Sequence, residues 1–287
     1  METVRYIRQL MIMKTMSVRT YSLLLIQGFV MYVYVKPAVR FSQAVMYPLS
    51  PWGFPFILSN IYFLFLFLLE IIYYFSNVPF MQYANMYQII RIGRKKWAAG
   101  HMVSIFFQSF LIMAVNFGFS VLWMGKNCQW GTEWGKALHT LALTNAQQYY
   151  GLLFHISYDS LQQYSPVELL GYTMLIGTLT ISFLGLFMFM FSIVWSRTAA
   201  VVGAVVMTAG IYLVENIHPL LSQKAAMFFP ACWLRTANIG VKVHGSSLMP
   251  PMSYILAALV IGLALMCGII IWRVGKIEFQ WQKEDEM

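Results

Sequence analysis

The sequence contains none of the residue patterns on which common hydrolytic enzymes depend. No histidine begins HExxH, no serine lies within GxSxG, and no GxxxxGK[ST] phosphate-binding loop occurs, so the chain cannot bind and hydrolyse ATP in that way. The five histidines are scattered without ligand spacing and are expected to be structural. We therefore predict no catalytic residue, no cofactor and no metal site in this chain.

One ionisable residue interrupts an apolar run and is a candidate for intramembrane chemistry. Glu70 lies within IYFLFLFLLEIIYYF, and a carboxylate inside a membrane is costly unless it faces protein or water. Five residues at about 1.5 Å each place it roughly 8 Å from the predicted inner end of its helix. At this depth we favour an ion pair with a cytoplasmic base such as Arg197 over contact with a substrate or a proton.

The composition predicts an all-α polytopic membrane protein. Hydrophobic residues make up 60% of the 287 residues and charged residues only 10%, against roughly 45 to 50% and about 25% in soluble proteins. A helix needs about 20 apolar residues to cross the hydrocarbon. We predict one transmembrane domain over 1–287 and six transmembrane helices, at 21–35, 54–75, 98–124, 166–195, 198–214 and 253–272.

The basic residues predict which side of the membrane each segment occupies. Of the 19 lysines and arginines, 12 fall in segments that are cytoplasmic if the N-terminus is cytoplasmic, although the outer loops are longer. Cytoplasmic loops accumulate Lys and Arg, so the predicted topology is N-in/C-in. The same asymmetry explains the net charge of +9 without nucleic acid as a partner.

Residues 1–20 are predicted to form an interfacial helix at the inner membrane surface. Lys14 and Arg19 interrupt the apolar stretch and no small-residue cleavage site follows, so a signal peptide is not expected. Apolar side chains fall on one helical face, and Arg5, Arg8 and Gln9 fall on the other. An N-terminal extension of the first span is the alternative. The apolar face carries Val4, Ile7, Leu10 and Met11.

Two long segments are predicted outside the membrane. Residues 125–164 should hold short helices whose aromatic side chains lie at headgroup level. Residues 215–252 place prolines between apolar patches, which favours a re-entrant or interfacial element over a disordered loop. Whether Cys128 and Cys232 form a disulfide is left open, because the sequence does not give the distance and orientation of the two residues. The aromatic residues expected at headgroup level are Trp130, Trp134, Tyr149 and Tyr150.

Two local patterns define the helices around the fourth span. Ser165, Pro166 and Glu168 supply a capping hydroxyl, a proline at the first helical position and an early carboxylate. Ser196 and Arg197 separate the fourth and fifth spans, which predicts a tight antiparallel hairpin. Between the second and third spans, a break at 77–79 is followed by a short helix and then by a basic cluster, for which a positive-inside anchor is the simplest interpretation. The short helix bears Met81, Met86, Ile89 and Ile90.

Together, the six spans, the surface helix before them and the basic helix between spans two and three resemble the ABC-2 type permease family over nearly the whole chain. The stretch RIGRKKW at 91–97 is similar to the one that enters the third span in that family, and 165–197 is a second match in pattern. The resemblance implies a permease subunit that pairs with a second permease copy or paralogue. It also implies separate ATP-binding cassette ATPase subunits, which would hold the ATP and Mg²⁺.

In that family the helix between spans two and three is a coupling helix, which corresponds here to roughly Met81–Ile92, with the basic residues after it. The surface helix before span one corresponds to roughly Thr3–Met16. The resemblance therefore implies that apolar residues of the coupling helix contact the ATPase while basic residues hold it at the lipid phosphates. The implied coupling residues are Met86, Ile89, Ile90, Arg91, Arg94, Lys95 and Lys96.

The implied function is export of an amphiphilic peptide or lipid-like substrate, including bacteriocin or lantibiotic export or immunity, at a bacterial plasma membrane. An ion or sugar is less favoured, because the spans offer few polar groups. A gradient-driven secondary transporter or channel that uses Glu70 is the alternative. An intramembrane enzyme would require converging polar groups at one depth. The few polar groups that the predicted spans do offer are Glu70, Asn60, Gln108 and Asn116.

Overall fold

The computed structural model describes residues 2–76, 89–243 and 246–276, and helices dominate it. A helical turn at 89–92 precedes α5, and the two-residue strands β1 (Lys242–Val243) and β2 (Ser246–Ser247) form an antiparallel hairpin. The helices are α1 (Glu2–Thr15), α2 (Val18–Val45), α3 (Phe54–Ser59), α4 (Ile61–Phe75), α5 (Arg94–Met124), α6 (Gly135–Leu143), α7 (Ala146–Tyr149), α8 (Tyr158–Gln163), α9 (Pro166–Val194), α10 (Arg197–Asn216), α11 (Pro219–Ala226) and α12 (Met252–Val274).

Five helices in the described ranges, α2, α5, α9, α10 and α12, are long and apolar enough to cross a membrane. The pair made by residues 51–59 and α4 also passes this test, but it bends by 86° at its break. The chain is therefore an all-helical protein with five to six helices that can span a membrane. The fifth and sixth predicted spans, 198–214 and 253–272, lie within α10 and α12.

The second span differs from the continuous helix predicted at 54–75, because Asn60 breaks it. Asn60 has an extended backbone, and its Oδ1 accepts the N–H of Phe63 at 3.0 Å, which starts α4 as a new helix. Tyr34 donates to the same oxygen at 3.1 Å, and the Asn60 amide donates to the carbonyl of Leu153 at 2.7 Å. These contacts fix the bend and leave α4 with 15 residues.

The first span is longer than predicted, because α2 continues as a helix through Pro37 to Val45. The predicted cap of the fourth span is present: the Ser165 side chain accepts the N–H of Glu168 at 3.3 Å at the start of α9. α9 has the largest buried share of the five long helices and packs against α5, α10 and α12. Gly185 lets α5 approach, since a Cβ there would lie 2.7 Å from Ile105.

The two segments predicted outside are folded against the bundle. Residues 125–164 contain α6, α7 and α8, and Trp134 is 5% exposed with its Nε1 donating to the Tyr164 carbonyl at 3.0 Å. Trp134 is thus a core residue here, while Trp130 and Tyr149 are exposed. In the second segment the turn Pro230–Leu234 is fully buried. The three cysteines, all of them in described positions, have free thiols.

Candidate functional site

Glu70 lies on the face of α4 that packs against α2. Its side chain is 8% exposed and lines a space of about 10 Å³ between the two helices. Holding one water molecule takes roughly 10–15 Å³, so the space has the size of a single water. The other residues around this space are Gln27, Val30, Phe63, Leu66 and Phe67.

The ion pair between Glu70 and Arg197 that the sequence favours is not formed. Within residues 2–76, 89–243 and 246–276, neither carboxylate oxygen of Glu70 has a hydrogen-bond partner. The reason is helix orientation, because α10 packs on another face of α4, where Tyr212 contacts Phe65 with ring centroids 4.9 Å apart. Glu70 is therefore a buried acid without a basic partner, an arrangement that costs free energy if the acid is charged.

Gln27 and Asn116 complete a polar cluster with Glu70 at the junction of α2, α4 and α5. The Asn116 amide donates to Oε1 of Gln27 and, at 2.9 Å, to the carbonyl of Ile112. Among the described neighbours, Nε2 of Gln27 has no acceptor and Oδ1 of Asn116 has no donor. Since the space beside Glu70 is also lined by Gln27, one water or a small side-chain shift would join the amide to the carboxyl.

A second cluster of polar side chains lies where α1 crosses α5. Tyr74 donates to Oε1 of Gln108 at 2.9 Å, and Nε2 of Gln108 reaches the hydroxyl of Thr15 at 3.5 Å. Nearby, the buried atoms of Lys14 Nζ and of the His101 ring have no hydrogen-bond partner in the described structure. Burial lowers the pKa of Lys14 from its ordinary value to about 7.

The contacts of α1 show where its apolar face goes. Tyr6 and Leu10 are buried, and a Cβ on Gly100 of α5 would lie 2.7 Å from the Tyr6 ring. The arginines Arg5 and Arg8 are exposed. The helix predicted at Thr3–Met16 is thus present as α1, with its apolar face packed on the bundle, and Ile12 and Met13 remain exposed beside it.

The predicted coupling residues divide into buried, exposed and undescribed ones. Met86 and most of the predicted helix Met81–Ile92 lie outside the described residues. Ile89 is 7% exposed and packs in the core, whereas Ile90 is 71% exposed. The basic side chains of this stretch, Arg91, Arg94, Lys95 and Lys96, are all exposed.

Gly93 sets the direction of this stretch. Its φ of +88° belongs to a region that glycine adopts readily and other residues rarely do. The helical turn at 89–92 therefore ends there, and α5 starts in a new direction. Ile89 on one side and Trp97, 0% exposed, on the other fix both ends of the stretch in the core. Ile90 and the basic side chains project between these two fixed points.

Sequence reasoning found some of these residues and missed others. Gln108, Asn116 and Glu70 are among the polar groups expected in the spans, whereas Asn60 proves to be a helix cap. Gln27 was missed, although an amide inside the apolar run 21–35 is itself a signal of a buried polar contact. Lys14 and His101 were assigned no site role, because their proximity depends on how α1 crosses α5.

No three His, Cys, Asp or Glu side chains within the described ranges are placed so that they could share a metal ion. The arrangement near Glu70 can instead hold a proton on the carboxyl or one water between the carboxyl and the amides. No family model, curated protein or solved structure matches the chain.

Proposed function

We propose that the chain is the transmembrane subunit of an ABC-2 type ATP-binding cassette transporter. In this proposal it exports an amphiphilic peptide or lipid-like substrate, pairs with a second permease copy or paralogue, and depends on separate ATPase subunits. Five to six helices that can span a membrane and the lack of a phosphate-binding loop in the sequence support this assignment.

The observation that carries the proposal is the exposed stretch 90–96. An isoleucine that is 71% exposed, beside four exposed basic side chains, lies between two residues fixed in the core. A partner surface that docks here would remove the apolar surface of Ile90 from water, which favours association. Under the predicted N-in topology this surface faces the cytoplasm, where an ATPase subunit would dock and the basic side chains would face lipid phosphates.

An apolar groove between α2 and α5 supports an amphiphilic substrate. It encloses about 700 Å³ and is lined by aliphatic and aromatic side chains. Trp123 donates from Nε1 to the carbonyl of Gly28 at 2.9 Å, which holds the two helices together at one end of the groove. A groove of this composition accommodates an acyl chain or apolar peptide side chains and offers little to an ion. The lining includes Tyr21, Leu24, Leu25, Phe29, Tyr32 and Phe119.

The adjacent isoleucines provide a matched test. Ile90→Asp places a carboxylate on the exposed surface and should leave the amount of protein in the membrane close to that of the wild type. It should abolish co-purification with the ATPase, because an apolar contact would have to bury the charge at a cost of several kcal/mol. Ile89→Asp should instead reduce the yield of folded protein, since Ile89 is in the core. Normal co-purification of Ile90→Asp would refute the docking assignment.

A gradient-driven transporter is the second candidate, favoured by the carboxyl of Glu70. A buried acid without a basic partner in the described structure is the kind of group that exchanges a proton or cation. In this alternative, transport stops when an ionophore collapses the proton gradient and when Glu70 is replaced by Gln, and ATP depletion acts only through the gradient. Transport that persists with the ionophore and stops with ATP depletion would exclude it.

A further inference from the structure

A surface cavity of about 900 Å³, lined by both apolar and polar groups, opens on the face that carries the segment 125–164. One wall is the connection between α2 and α3, and the other is formed by residues 129–144. The backbone joins the two walls, because Leu49 accepts from Gln129 at 2.8 Å and donates to Asn127 at 2.7 Å. Trp52 adds a bond from Nε1 to the carbonyl of Gly131 at 2.9 Å, so the cavity is preformed.

The cavity wall carries one acidic and one basic side chain that do not form an ion pair with each other. Glu133 has no hydrogen-bond or ion-pair partner for its carboxylate in the described part of the chain. Nζ of Lys136 lies 5.7 Å from the ring centroid of Tyr47. His139 also lines the wall. The carboxylate of Glu133 and the ammonium group of Lys136 therefore offer separate positions for a cation and for an anion.

Aromatic and apolar side chains surround these charges. Trp130 is 64% exposed and contacts Trp52 edge-on, with ring centroids 6.1 Å apart, so its ring stands at the cavity with a face uncovered. Leu143, also 64% exposed, lies on the opposite part of the wall, and Met46 next to Tyr47 is 89% exposed. Aromatic and apolar side chains exposed to this extent around a cavity that also holds charged groups are typical of a surface at the headgroup level of a bilayer.

We propose that this cavity binds the headgroup of a zwitterionic phospholipid. The phosphate would lie at Lys136, while the ammonium group would lie between Glu133 and the face of Trp130, where a carboxylate and a ring quadrupole both attract a cation. The apolar rim would contact the glycerol and the first acyl carbons. An anionic phospholipid fits less well, since nothing would pair with Glu133. This site does not depend on the transport mechanism, so it is tested separately from the ATPase proposal.

Lipid binding to the purified full-length chain in detergent tests this site directly. Native mass spectrometry would measure the Kd of added phosphatidylethanolamine and phosphatidylglycerol. The wild type should prefer phosphatidylethanolamine, and Lys136→Gln and Glu133→Gln should each weaken its binding by about tenfold. Lys126→Gln is the matched control, because Lys126 is an exposed lysine of the same segment outside the cavity wall. It should change the Kd by less than about twofold.

Two further comparisons separate the lipid from other ligands. Phosphoethanolamine without acyl chains should bind more weakly than the lipid, because Trp130 and Leu143 then have no chain to contact. Equal affinity of the soluble headgroup would overturn the lipid assignment. Equal binding of the two lipids by the wild type, or unchanged binding in both cavity variants, would overturn the site itself.

Discussion

Glu70 and Glu215 are carboxylates with opposite surroundings. Glu70 and Gln27 line the same small space, and the carboxylate oxygens of Glu70 lack hydrogen-bond partners in the described structure. Glu215 accepts a bond of 2.7 Å from Arg235, whose side chain is 7% exposed and which also donates to the carbonyl of Ser59. Burial of Glu70 therefore costs free energy. Glu215 instead pairs with Arg235, a cation that would otherwise be buried without a counter-charge.

Replacing each acid by glutamine should show this difference. Glu70→Gln keeps the shape and removes the acid, so the thermal unfolding midpoint in detergent should stay the same or rise. Glu215→Gln leaves the Arg235 guanidinium without its counter-charge and should cost about 1–3 kcal/mol. A fall in the midpoint for Glu70→Gln as large as that for Glu215→Gln would mean that Glu70 has a structural partner after all.

The sequence predicted that Glu70 faces protein, but it gave the wrong partner, Arg197. The burial of Glu70 follows from its position in an apolar run, which is local information. Its neighbour depends on which side of α4 packs against α2 and which against α10, and this is set by contacts between helices far apart in the chain. Gln27 was overlooked for the same reason, since an amide in a span reveals its role only when Asn116 and Glu70 are seen beside it.

At the scale of elements, local capping signals were more reliable than apolar run length. Ser165 predicted the start of α9 and lies at its N-cap. The apolar run 54–75 concealed the break at Asn60, although the asparagine is itself a capping residue. Apolar run length predicted that the first span ends at residue 35. α2 nevertheless continues, because residues such as Phe41, 1% exposed and 5.3 Å from the Tyr150 ring, pack against the outer segment.

Two helix glycines test how closely the elements pack. A Cβ on Gly210 of α10 would overlap the ring of Phe229, while one on Gly268 of α12 would meet no described atom within 4 Å. Gly210→Ala should therefore lower stability by about 1–3 kcal/mol through overpacking. Gly268→Ala should be neutral or stabilising, because alanine favours a helix more than glycine does. Equal unfolding midpoints in detergent for the two variants would contradict the observed packing of α10 on the 217–229 segment.

At the scale of the whole molecule, the topology is a prediction from charge. Both termini and Arg94–Lys96 should be cytoplasmic, and residues 125–164 and 218–252 external. A cysteine introduced at Lys126, which is exposed and lies outside the cavity wall, should react with an impermeant thiol reagent in intact cells, above the background of the native thiols. A cysteine at Lys95 should react only after permeabilisation. Both positions are exposed in the structure, so burial cannot explain a lack of reaction. The reverse pattern would invert the topology and place the stretch 90–96 outside.

The proposed transport function is tested most directly by its energy source. When the wild-type chain is isolated from its native membrane in mild detergent and reconstituted, an ATP-binding subunit should accompany it. ATP hydrolysis by the complex should then rise when the exported amphiphile is present. Hydrolysis should be insensitive to an ionophore and should be lost with Ile90→Asp. If no ATPase accompanies the wild-type chain and transport instead follows an imposed proton gradient, the ABC-2 assignment is wrong and Glu70 becomes the centre of the mechanism.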